Sequence, residues 1–351
     1  MADEAWQIRA VVFKHVVAAA LLLGGGSLPA LGEDIAEFYR GKQVKLLIGA
    51  DPGGPYDAYA RLLARHLGDH IPGQPRIVVQ NMPGATSVIA ANYVYNKAPQ
   101  DGSVIATLNN VVPLIKVLGE ADIQFDPAKL NWLGSVAREL YVIYVRSGSP
   151  IRTLADAKQA KVTMGATGPM AMSALFPRLI NNVVGTQFQI VTGYPGLAAV
   201  QIAMERNEVD GLAGDSWYND HGQGKSFNWF LDGTVRTIAV IGSKQPKQLA
   251  GIPHLTDLAR DAEGRRLLEL FSSPAEVGKP AVMGPDVPQA RVQAMRGAFA
   301  ATVSDPAFVA DAEKLGLAVD PVAGEELAAL VQRLMETPAS VAQRARDMNR
   351  R

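Results

Sequence analysis

The sequence GADPGGPYDAYAR at residues 49–61 follows a β-type apolar run at 44–48, and NMPGATS at 81–87 follows a second such run at 77–80. The two glycine-bearing loops start 32 residues apart, and each leads into a segment with helical patterning. A strand, a glycine turn and a helix, repeated, predict an α/β domain with a largely parallel sheet. Two such turns opening side by side at the carboxyl edge of the sheet present backbone N–H groups at helix N-termini, which suits a small anion. Capture of a carboxylate is the expectation that follows.

The same alternation continues outward from these loops. Further strands are predicted at 104–108, 141–145, 162–164, 188–191, 209–212 and 235–241. Tyr59, Leu62, Leu63, Leu67 and Ile71 recur at helical spacing after the first loop, and Pro72-Gly73 ends that helix. Later, Val292, Met295, Phe299 and Val303 mark an amphipathic helix entered through Pro288, with Ser304 as N-cap of a following helix that stops at Gly316. Turn clusters at 146–150 and 241–246 bracket a central segment, and two chain crossings of that kind suit two lobes joined by a hinge.

At 351 residues, 48% of them apolar, the chain can bury two domain cores. The formal charge is zero, with 34 basic and 34 acidic residues, so nucleic acid and anionic membrane surfaces are not expected partners. There is no cysteine, which excludes disulfides and thiolate metal sites. Arg9 and Lys14, an apolar run at 16–23 and Ala30-Leu31-Gly32 read as a secretory signal over residues 1–32, with Asp3 and Glu4 unusual in it. The apolar run is well short of the roughly 20 residues that span a bilayer. A freely soluble, periplasmic and monomeric product is expected.

In the first loop Gly53 and Gly54 permit positive φ and close approach of a ligand, and Asp57 is placed to cap the first N–H groups of the helix. The second loop brings Asn81, Gly84, Ala85 and two hydroxyls, Thr86 and Ser87. Either loop alone reads equally as a capped turn; together they favour binding. The central segment carries comparable turns at Thr167-Gly168-Pro169-Met170, at Tyr194 and Gly196, and at 214–218 with Trp217. Tyr194 and Trp217 suit either the carbon skeleton of a ligand or the core.

No Walker-type loop, G-x-G-x-x-G, G-x-S-x-G elbow or H-E-x-x-H motif occurs, so neither a nucleotide site nor an enzyme is expected. His66 and His70 stand at i, i+4, but no third ligand follows at metal-site spacing, and His221 and His254 are isolated. No catalytic residue, metal or cofactor is assigned.

Across long ordered stretches the chain resembles the solute receptors of tripartite tricarboxylate transporters, the TctC or Bug family. They include PGGPYDAYARLLARHLG at 52–68, IPGQPRIVVQNMPGATS at 71–87, AANYVYNKAPQDGSVIAT at 90–107, GATGPMAMSALFPRLINNVVGTQFQIVTGYPG at 165–196 and AMERNEVDG at 203–211. The resemblance implies an α/β, two-lobed type II periplasmic-binding-protein fold with a hinge of two crossing strands. Residues 33–142 and 239–351 would form one lobe and 143–238 the other.

It further implies that Gly53, Gly54, Tyr56, Asp57, Asn81, Pro83, Gly84, Ala85, Thr86 and Ser87 take one ligand carboxylate. Thr167, Gly168, Pro169, Met170, Tyr194 and Gly196 would face it from the second lobe. Delivery to integral-membrane transporter subunits is the implied role, a sensing receptor or an exported enzyme in the same cleft being the alternatives. Thr86 and Asn207 stand where the family usually has glycine, and Ala171 and Met172 where small or polar residues are common. A bulkier, less polar pocket would extend the ligand range from di- and tricarboxylates to apolar or aromatic acids.

Overall fold

A computed structural model describes residues 34–119, 122–169, 171–217, 225–242 and 245–349. The expected signal segment and Met170 lie outside the described residues. In chain order the elements are α1 (Ile35–Tyr39), β1 (Gln43–Ile48), α2 (Pro55–His70), β2 (Arg76–Asn81), α3 (Val88–Asn96), β3 (Val104–Thr107), α4 (Val112–Val117), β4 (Asn131–Ser135) and β5 (Leu140–Arg146). There follow β6 (Val162–Ala166), α5 (Met172–Val183), β7 (Phe188–Thr192), α6 (Leu197–Glu205), β8 (Gly211–Ser216), α7 (Lys225–Leu231) and β9 (Val235–Gly242). The last elements are α8 (Ala262–Val277), β10 (Pro280–Met283), α9 (Gln289–Ser304), α10 (Pro306–Lys314), β11 (Val322–Ala323), α11 (Gly324–Met335) and α12 (Ala339–Asn349).

The strands form two sheets. One has the order β11-β4-β10-β3-β1-β2, the other β7-β6-β8-β5-β9. In the first, β1 runs parallel to both neighbours, with Ile48 opposite Asn81 on β2 and Thr107 on β3. That register ends the three strands at one level, so the loops that follow them open side by side. The apolar run of β1 serves both faces of its sheet. Val44, Leu46 and Ile48 pack with Tyr59, Leu62, Leu63 and Leu67 of α2, while Leu47 packs with Val88, Ala91 and Val94 of α3. Each buried Leu or Ile contributes roughly 1.5–3 kcal/mol, which fixes the pleat and thereby the direction in which the loops leave.

In the second sheet Ile143 and Val145 of β5 join a core with Leu175, Phe176 and Leu179 of α5. Val142 and Tyr144, on the opposite face, pack with Val200 and Met204 of α6. The α5 core also takes Leu267, Leu268 and Phe271 from α8 and Val341, Ala345 and Met348 from α12, so late segments of the chain pack beside the second sheet.

Chain passages between the sheets run through 136–139 and 278–279, and they are hydrogen-bonded to each other. Val136 N–H donates to Lys279 O at 3.1 Å, and Lys279 N–H donates to Ala137 O at 3.0 Å. Gly278 between them has φ of +64°, and a Cβ there would meet Ala137 O at 1.9 Å, so only glycine lets the two passages approach this closely.

Several local expectations shift. The strand expected at 209–212 is Gly211–Ser216, because Asp210 anchors the approach to it: its carboxylate accepts from Thr163 N–H at 2.9 Å and Arg146 Nη2 at 3.0 Å. The N-cap of α10 is Asp305, not Ser304; its carboxylate accepts from Ala307 N–H at 2.8 Å and Pro306 takes the first helical position. Ser304 is the last residue of α9. Asn207 has φ of +60°, a left-handed conformation that asparagine tolerates in place of glycine.

Candidate functional site

The two loops first singled out are joined by one carboxylate. Asp57 is 4% exposed; its Oδ2 accepts from Gly53 N–H and from Arg61 Nε, each at 2.9 Å. Its Oδ1 accepts from Asn81 Nδ2 at 2.8 Å, and the same amide group donates to Ala50 O at 2.9 Å. Arg61 Nη2 closes the ring by donating to Asn81 Oδ1 at 2.8 Å. Asp57 therefore does not cap its own helix, as expected from sequence; it reaches back to a residue before the Gly54 N-cap. The helix N-terminus is left open in consequence. The N–H groups of Gly54, Tyr56 and Asp57 have no acceptor within the described chain.

The Arg61 hydrogen bond is the chief cause that holds the Asp57 carboxyl down to about 2; burial opposes it, and the Gly53 and Asn81 donors reinforce it. The sign follows from a folded-state value below the unfolded one. Asp57 contributes about 2 kcal/mol above pH 4, and that contribution disappears as pH falls through about 2. Acid unfolding of Asp57→Asn is thus expected to begin from a lower plateau and to be flatter between pH 4 and 2, a comparison readable by circular dichroism.

The second loop is built from unusual backbone. Gly84, Ala85, Thr86 and Ser87 have φ of +125°, +46°, +53° and +72° in succession. Three consecutive non-glycine residues in left-handed conformations cost on the order of 1–3 kcal/mol each, and such strain concentrates at ligand-binding and switch segments. Ser87 holds the run in place. Its Oγ donates to Gly49 O at 2.7 Å and accepts from Asn109 N–H at 2.9 Å. A Cβ at Gly49 would lie 2.6 Å from that Oγ, which explains the glycine. Ser87 is 1% exposed and fastens three strand ends together, whereas Ala85 and Thr86 stand open to solvent.

Behind the first loop lies a buried polar cluster at the passages between the sheets. The Tyr56 hydroxyl accepts from Asn110 N–H at 3.2 Å, and Asn110 Nδ2 donates to Tyr141 Oη at 2.7 Å and to Pro274 O at 2.8 Å. Lys279 Nζ stands 4.3 Å from the Tyr56 ring centroid and donates to Glu139, which also accepts from the Ser216 hydroxyl at the end of β8. Burial alone would lower the lysine's pKa, but the Glu139 carboxylate outweighs it and the net shift is upward. Burial pushes the neighbouring Tyr59 up to about 12.

On the second sheet, Thr167 N–H donates to Ser173 Oγ at 3.2 Å, which ties the residue after β6 to the start of α5. Arg178 Nη1 donates to Pro169 O, and Gly168 has open space where a Cβ would stand. Gly196 is the N-cap of α6 with extended backbone. Tyr194 and Trp217 are half-buried against the core of Tyr144 and Val200, with Trp217 edge-on to Phe230 at 5.0 Å between centroids.

Among the described residues no three His, Cys, Asp or Glu side chains could hold a metal ion. His66 and His70 instead meet Asp311 and Asp305, at 3.1 and 3.0 Å, and pin α2 to α9 and α10.

Residues 59–344 match the tripartite tricarboxylate transporter family receptor. The chain belongs to this family of receptors. A curated relative, the UPF0065 protein in the gbd 5′ region of Cupriavidus necator, is 28% identical over 251 residues, which is 69% of this chain and 72% of that protein. Among solved structures, a TctC solute-binding protein from Polaromonas, without ligand, superposes with a TM-score of 0.67 at 18% identity, covering 88% of this chain and 98% of the other. The structure of R. palustris Rpa4515 with adipate gives 0.60 at 19% identity over 87% and 97%. At these identities the likeness is one of fold, and it is the two-lobed fold of periplasmic binding proteins.

Several residues around these loops in this TctC-family chain were not singled out from sequence: Arg61, Asn109, Asn110, Glu139 and Lys279. Arg61 alone left a signal, standing four residues after Asp57 on a helix, the spacing of a side-chain ion pair. The others join segments distant in sequence.

Proposed function

We propose that this chain is a periplasmic solute receptor that captures a small organic carboxylate between two lobes and delivers it to the membrane subunits of a tripartite tricarboxylate transporter. In this reading residues 53–57 and 84–87 hold one carboxylate group through the free N–H groups of Gly54, Tyr56 and Asp57, the backbone of the second loop and the Thr86 hydroxyl, while the 167–170, 194–196 and 217 regions close on the rest of the molecule. The observation that carries it is the strained left-handed run at residues 84–87, open to solvent at Ala85 and Thr86, beside an uncapped helix N-terminus. Asp57, Asn81 and Ser87 act as braces that hold these donors. The adipate complex of a same-fold protein gives the chemical class.

Closure follows only if the ligand binds the closed form better than the open one. Trp217 and Tyr194 supply apolar surface for that difference, which favours acids with a hydrocarbon or aromatic body.

The test is thermal unfolding of ligand-stripped protein against dicarboxylates, tricarboxylates and aromatic acids. An acid present at about 100 times its Kd is expected to add roughly 2.7 kcal/mol. A shift confined to one acid class, abolished by Asp57→Ala, supports the reading. No shift across the panel refutes carboxylate capture, and turnover of the shifting acid refutes a receptor role.

A further inference from the structure

A cavity of about 590 Å³ lies away from the loops described above, between α8, α11 and the end of β9. Its size falls within the range of small-molecule sites. Leu270, Leu330 and Leu334 supply an apolar lining, and Arg266 and Arg333 line it with guanidinium groups exposed to solvent. Neither arginine has a hydrogen-bond or ion-pair partner among the described residues. The other charges are less available: Glu276 pairs with Arg138, and Glu336 accepts from Gln332 at 2.8 Å, leaving Glu269 as the one lining carboxylate without a partner among the described residues. The lining also includes Ser272, whose buried hydroxyl has no hydrogen-bond partner; buried hydroxyls are normally satisfied.

The geometry points to a second binding site in this cavity for an amphiphilic carboxylate, its hydrocarbon body on Leu270, Leu330 and Leu334 and its acid group between Arg266 and Arg333. Guanidinium groups suit carboxylates because their planar donors match the two oxygens. The lining draws Gly242 from the end of β9 in the second sheet and Leu330, Arg333 and Leu334 from α11, which follows β11 of the first, so segments attached to both sheets contribute to it. An occupant that favours one lobe angle changes affinity in the cleft, and a cleft ligand changes affinity here by the same factor.

The test is amide hydrogen exchange of the full chain with decanoate as probe, paired with calorimetry of the charge-reversed variant Arg266→Glu/Arg333→Glu. Both positions are solvent-exposed, so the variant is expected to fold. Slower exchange at 242–256 and 330–338 with none at 49–57 or 84–88, together with at least about tenfold weaker decanoate binding in the variant, supports the site. Protection confined to 49–57 and 84–88 places decanoate in the cleft and overturns it. So does unchanged affinity in the variant, or no binding to the wild type below about 1 mM.

Discussion

Replacing Lys279 with methionine is expected to destabilise the protein by roughly 3–5 kcal/mol, because it leaves Glu139 charged and buried without its partner. Lys279 and Glu139 are 6% and 4% exposed, so water cannot take over the lost interaction. The ammonium also lies 4.3 Å from the Tyr56 ring centroid and 5.5 Å from that of Tyr59, so its removal undoes the packing behind the first loop. At about 2–4 °C per kcal/mol for a domain of 150–250 residues, the midpoint should fall by 6 °C or more, measured by scanning calorimetry. The double variant Lys279→Met/Glu139→Leu is expected to recover much of the loss, since an apolar pair carries no desolvation cost. A single substitution that shifts the midpoint by less than about 2 °C would show that the pair is already solvated.

The second large effect is expected on binding rather than on stability. Gly84 has φ of +125° and ψ of +142°, a region closed to residues with a Cβ. A Cβ there would also stand 2.3 Å from Ile89 Cδ1. The Ile89 side chain is half-exposed and can move, but the backbone angle cannot be kept. Gly84→Val is therefore expected to let residues 85–87 relax out of their left-handed conformations and to turn the N–H groups away from the cleft. Carboxylate affinity should fall at least about a hundredfold, or roughly 2.7 kcal/mol, by calorimetry with the acid selected by thermal shift. The unfolding midpoint should change little, because relaxation of the strained run offsets part of the damage. Full affinity in this variant would remove the second loop from the site.

The parts of the fold visible in sequence are those governed by local pattern. The apolar run of β1 and the helical spacing of Tyr59, Leu62, Leu63 and Leu67 place both core faces and the loops between them. β4, β10 and β11 were invisible because Asn131–Ser135, Pro280–Met283 and Val322–Ala323 are short, carry proline or glycine, or pair only with distant segments. The site divided in the same way. Gly53, Gly54 and Gly84 announce themselves as residue types, but the division of labour between Thr86, open to solvent, and Ser87, locked between Gly49 and Asn109, depends on one backbone angle after another. The Glu139–Lys279 pair had no signature, since two charges brought together by chain passages have no spacing to read.

The position of β10 bears on how the chain acquires its structure. Strands β5 to β9 of the second sheet are all supplied between residues 140 and 242, so that sheet can assemble from contacts within one continuous stretch. In the first sheet β10 lies between β3 and β4, so β4 joins the sheet only after residues 280–283 have come back to it. High sequence separation slows closure of such pairings. The sheet bearing the strained loop is thereby the later to be completed, and pulse-labelled hydrogen exchange during refolding should protect β5 and β9 before β4 and β10. Until that insertion, β1, β2 and β3 present an unpaired edge at β3, and the nascent receptor is at its most aggregation-prone there.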